Sequence, residues 1–85
     1  MTHIKVYTIP SCSYCDKLKQ VLKIMELDYS SVVIGKDMTK SQFEIEYPDA
    51  AGFPYVIIDD EKIGGLHEVV KYLVDKGYGD KLRQR

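Results

Sequence analysis

The chain has 85 residues, 45% of them hydrophobic, which is enough for one core and points to a single domain over residues 1–85. Twelve basic against thirteen acidic side chains leave a formal net charge of −1, which excludes a general electrostatic attraction to nucleic acid or to an anionic membrane. No apolar run approaches ~18 residues, so neither a signal peptide nor a membrane span is expected, and a reducing cytoplasm is the expected location.

In chain order, His3 to Thr8 (HIKVYT) is β-branched and aromatic and predicts a first strand. From Tyr14 to Glu26, Leu18, Val21, Leu22 and Met25 fall at helical spacing with Lys17, Lys19 and Lys23 between them, predicting an amphipathic helix with Ser11 as its N-cap. Tyr29 to Ile34 (YSSVVI) predicts a second strand, parallel to the first through a right-handed crossover. Thr39 with Gln42 three residues later has the pattern of a capping box, and Pro48 stops the short helix predicted over 39–47. PYVIID, starting at Pro54, predicts a strand opening on a proline. Asp59 to Glu61 form a turn, and KIGG (Lys62 to Gly65) supplies a short hairpin partner. Val69, Val70, Leu73 and Val74 carry the apolar face of a last helix that stops near Gly77. The order β-α-β-α-β-β-α predicts a mixed four-stranded sheet flanked by helices, with Cys12 in the loop between the first strand and the first helix.

Cys12 and Cys15 are the two cysteines of the chain, separated by two residues. A permanent staple is disfavoured, because closing so short a loop constrains the unfolded chain little and disulfides are rare in a reducing compartment. A zinc site would need two further ligands, and only His3 and His67 are offered, in no metal-binding spacing, so no metal is expected. Position favours redox chemistry instead. A cysteine at a helix N-terminus faces free backbone N–H groups and the positive end of the helix dipole, which stabilise thiolate over thiol. Cys12 is therefore the expected nucleophile, and Cys15, one turn further in and more shielded, the expected resolving thiol. A stabilised thiolate also leaves readily, so a disulfide made at Cys12 is easily split again, as a turnover catalyst requires.

Three segments together resemble one family. YTIPSCSYC, GFPYVIID and KIGGLHEVVKYL are similar to the signature blocks of glutaredoxins: the Cys-X-Tyr-Cys motif, the cis-proline loop and the Gly-Gly turn that opens the last helix. The resemblance covers nearly the whole chain. It implies a thioredoxin-like fold and a monomeric enzyme that reduces glutathione mixed disulfides and protein disulfides with glutathione as co-substrate, ribonucleotide reductase being one protein partner of the family. It further implies that Tyr14 lines the glutathione site and that Pro54 is cis, turning the Phe53 backbone to pair with the cysteinyl part of glutathione. The N–H groups of Leu66 and His67 would meet the γ-glutamyl carboxylate and Glu68 its ammonium.

Some positions differ from the family pattern. Ile9 stands where a basic residue is frequent, leaving Lys36, Lys40 and Gln42 as candidates for the glycine carboxylate. Ser13 replaces a proline between the cysteines, and Gly52-Phe53 replaces a threonine-valine pair. The absence of tryptophan disfavours a thioredoxin proper. Two alternatives stay open: a glutaredoxin-like donor reduced by thioredoxin reductase, and a [2Fe–2S] carrier in which Cys12 of two chains and two glutathiones hold the cluster.

Overall fold

The computed structural model describes residues 3–77; the termini, with the tail GDKLRQR, lie outside the described residues. The elements are β1 (Ile4–Thr8), α1 (Ser13–Ile24), β2 (Ser30–Val33), α2 (Lys40–Glu46), β3 (Tyr55–Ile58), β4 (Glu61–Gly64) and α3 (Leu66–Asp75). The order expected from sequence is the order found. Sheet order is β2-β1-β3-β4, with β1 parallel to β2 and antiparallel to β3, and β3 antiparallel to β4.

Strand alternation supplies two cores, one on each face of the sheet. Ile4 and Val6 of β1 and Val56 and Ile58 of β3 point toward α1 and α3, where they bury Leu18, Leu22, Met25, Val69 and Leu73. Tyr7 and Tyr55 point the other way and gather Phe43 of α2 and Ile34 into a smaller, mostly aromatic cluster. No helix among the described residues is long and apolar enough to cross a membrane.

Several boundaries differ from the sequence reading, each for a visible reason. β1 starts one residue late, because the His3 amide donates to Asp59 Oδ1 at 2.7 Å and so joins the β3–β4 turn. β2 is trimmed at both ends: Asp37 Oδ2 accepts the Val33 amide at 3.0 Å, and Ile34 forms only an isolated bridge to Met38. α1 ends at Ile24 rather than Glu26, although no Gly or Pro announces it. Glu26 takes up a left-handed conformation (φ 59°), its amide donates to Lys23 O, and the Leu27 amide donates to Leu22 O at 2.9 Å. That paired closure satisfies the last carbonyls of the helix. α2 follows its sequence signal closely: Thr39 Oγ1 accepts the Gln42 amide at 3.1 Å while Gln42 Oε1 accepts the Thr39 amide at 3.0 Å.

Candidate active site

The first helix begins differently from the sequence expectation, and the difference is chemical. Ser11 does not cap it. Its backbone sits in the left-handed region (φ 58°), which turns the chain so that Cys12 occupies the N-cap with extended backbone. Cys12 Sγ accepts the Cys15 amide at 3.1 Å, the bond a serine or aspartate oxygen makes at an ordinary cap. Negative charge on this sulfur is therefore met by a fixed N–H donor and by the positive end of α1. The expected nucleophile is itself the cap.

Cys15 lies inside the first turn and is only 2% exposed. Burial pushes its thiol up to about 11, helped by its hydrogen bond to the Cys12 sulfur; a backbone interaction with Ile9 acts in the opposite direction. The two thiols, both reduced here, thus divide into an accessible sulfur and a protonated one behind it. Native protein treated with iodoacetamide up to about pH 10 should be labelled at Cys12 with Cys15 spared, because alkylation needs thiolate and access. Peptide mass mapping checks this; labelling of Cys15 at a comparable rate would contradict the assigned division.

Across from the helix start, the Phe53–Pro54 peptide bond is cis, and the Phe53 carbonyl oxygen lies 4.0 Å from Cys12 Sγ. The Phe53 side chain turns away into the aromatic cluster, its ring centroid 4.9 Å from that of Phe43. Phe43 in turn meets Tyr7 at 5.3 Å, Tyr47 at 5.4 Å and Tyr55 at 5.7 Å. The backbone facing Cys12 is held by a ring contact with α2.

Beside this backbone runs a groove of about 720 Å³, and Tyr14, Phe53, Pro54, Leu66, His67 and Glu68 all line it. Six residues singled out in three separate sequence segments thus meet at one place. Tyr14 is 54% exposed, with Lys17 Nζ 5.3 Å from its ring centroid. Gly64 (φ +120°) makes the turn into α3, and a Cβ there would stand 3.3 Å from Glu68 Cγ. Glu68 Oε1 accepts the Gly65 amide at 2.9 Å, so Glu68 closes its own helix start as well as facing the groove.

The residues weighed for the glycine carboxylate are placed elsewhere. Lys36, Lys40 and Gln42 do not line the groove, and Gln42 is engaged in the α2 capping box. Sequence reasoning missed Asp49 and Lys62, which do line it. Lys62 sits in a strand pair whose register shifts between Val56 and Ile57, so alternation counted along the sequence does not assign it a face.

The comparisons agree with this architecture. The glutaredoxin family model matches residues 4–63. The chain is 32% identical over 84 residues to glutaredoxin 1 of Rickettsia bellii, covering 93% of this chain and 84% of that protein. It is 30% identical over 74 residues to an uncharacterized glutaredoxin-like 8.6 kDa protein in the rubredoxin operon of Clostridium pasteurianum, covering 86% and 99%. The crystal structure of glutaredoxin 1 from Francisella tularensis complexed with cacodylate is similar with a TM-score of 0.68 at 27% identity, covering 89% of this chain and 95% of that one. With a family match over most of its length and relatives matched nearly end to end, the chain belongs to the glutaredoxin family of thiol–disulfide oxidoreductases.

Proposed function

We propose that the chain is a dithiol glutaredoxin of a single domain that takes its electrons from glutathione and reduces glutathione mixed disulfides and protein disulfides. The observation that carries this reading is the placement of Cys12 Sγ, 3.1 Å from the Cys15 amide and 4.0 Å from the Phe53 carbonyl, next to a groove of about 720 Å³. A tripeptide whose cysteinyl part pairs with Phe53 brings its sulfur to Cys12 and leaves an arm to lie along Tyr14, Pro54 and the start of α3.

The chemistry balances without a further oxidant. The Cys12 thiolate attacks the glutathione sulfur of a mixed disulfide, forms the Cys12–glutathione bond and expels the protein thiolate. A second glutathione thiolate then splits that bond, restoring Cys12 and releasing glutathione disulfide. The net product is one protein thiol for each glutathione disulfide. The reading places the enzyme in the cytoplasm as a monomer, acting on glutathionylated or disulfide-bonded proteins, ribonucleotide reductase being one partner to try first.

Turnover of a glutathionylated peptide, followed as NADPH consumption, tests the electron source. Glutathione with glutathione reductase should support it. NADPH consumption with thioredoxin reductase alone, and none with glutathione, would replace this reading with the thioredoxin-reductase-coupled one.

A further inference from the structure

We propose that Ser11 is a second cap of α1, a positioning residue that holds Cys12 at the helix start while its sulfur is free and takes the cap over when that sulfur enters a disulfide. Pro10 and Ser11 are the two central residues of the turn that leads into α1. A proline at the first centre and a positive φ at the second is the pattern of a type II turn, whose second centre favours glycine or asparagine. Ser11, at φ 58°, is costly there. The other left-handed residues that are not glycine have visible local tasks: Glu26 closes α1 through its amide, and Asp59 and Asp60 form the β3–β4 turn, where Asp59 also accepts the His3 amide. The Ser11 side chain has none. It is exposed, and its hydroxyl makes no hydrogen bond among the described residues.

Serine is the right residue for a different arrangement. With Ser11 extended rather than left-handed, its Oγ takes the Tyr14 amide, three residues on, as a serine cap does, and Cys12 becomes the first helical residue. Two caps then compete for one helix end. In the structure the acceptor is Cys12 Sγ, 3.1 Å from the Cys15 amide. A thiolate makes this a charge-assisted bond, strong enough to hold Ser11 in its unfavourable conformation. A disulfide sulfur carries no charge and accepts weakly, so the strain is no longer offset and Ser11 relaxes into the cap. The same residue therefore raises the cost of the free sulfur and lowers that of the disulfide.

The balance is read from the equilibrium of the full-length protein with dithiothreitol, in which the Cys12–Cys15 disulfide takes up two electrons and two protons to become the dithiol while the reagent closes to its cyclic disulfide. Both protein forms are folded, so effects of a substitution on the unfolded chain cancel. Ser11 is exposed, so its replacement disturbs no packing. Ser11→Ala keeps the strain but loses the second cap, and should move the equilibrium toward the dithiol about fivefold. Ser11→Gly is free of the strain and should move it about tenfold the same way, a rise in reduction potential of about 30 mV. Ser11→Thr keeps a capping hydroxyl but, being β-branched, strains the left-handed turn further, and should move it about threefold toward the disulfide.

A residue that merely supports the fold does not give opposite signs for Ser11→Thr and Ser11→Gly. The two conformations are also seen directly by nuclear magnetic resonance of the wild type. The strong amide-to-Hα cross-peak within Ser11 that marks a left-handed backbone should be present in the dithiol and lost in the disulfide. A cross-peak that persists in the disulfide overturns the proposal, as does a Ser11→Thr protein that shifts in the same direction as Ser11→Gly, or a Ser11→Ala protein that does not shift.

Discussion

Cys15→Ser is expected to keep most of its rate on a small glutathione mixed disulfide and to lose more than about tenfold on an intramolecular protein disulfide, whereas Cys12→Ser loses both by orders of magnitude. The split follows from where the sulfurs sit. Cys12 is the half-buried cap of α1, facing Phe53, and a substrate disulfide can reach it. Cys15 is buried behind it, with its thiol pushed up to about 11, so it neither competes for incoming disulfides nor is needed to discharge a Cys12–glutathione bond, which free glutathione can attack. A mixed disulfide between Cys12 and a protein is different. There the substrate's own second thiol stands ready to close back, and only a neighbour at high effective concentration releases the product first. Parallel assays on a glutathionylated peptide and on a disulfide-bonded protein check this. Equal loss of both activities in Cys15→Ser would sink the glutathione route and bring the thioredoxin-reductase-coupled route forward.

The second large effect lies away from the sulfurs. Phe43→Ala should cost about 3–5 kcal/mol, because it empties the centre of a cluster in which Phe43 contacts four other rings. In a domain of this size each kcal/mol lowers the melting temperature by about 4–8 °C, so a drop of roughly 12–40 °C is expected in thermal unfolding followed by circular dichroism. The milder Phe43→Leu, at about 1–2 kcal/mol, should stay folded at room temperature. Its informative signature is functional: the Phe53 ring loses its aromatic partner, the carbonyl facing Cys12 is held less firmly, and KM for a glutathionylated peptide should rise with Cys12 alkylation unchanged. A Phe43→Ala protein melting within about 3 °C of wild type would show that α2 does not anchor the Phe53 loop.

Residues near in sequence made much of this molecule legible before any tertiary contact was known. The period of Leu18, Val21, Leu22 and Met25, the Thr39–Gln42 capping box and the turn at Gly64 and Gly65 are local signals, each expressed by the chain itself, and α1, α2 and α3 follow them. The Cys-X-X-Cys spacing likewise settles that both sulfurs belong to one helix start. Other features depend on atoms brought from elsewhere. Ser11 was a sound N-cap by type, but the left-handed turn at that residue hands the cap to Cys12, and residue preference does not encode that choice. α1 ends by a left-handed Glu26, where sequence preference favours glycine. The groove is the clearest case. Asp49, Phe53 and Lys62 come together only when α2 packs its aromatic ring against one face of the sheet and the β3–β4 pair shifts register, so which charges face a ligand is decided by the register and depth of that contact. Local chemistry is written along the chain; the charge pattern of a site is a property of the surfaces that folding lays side by side.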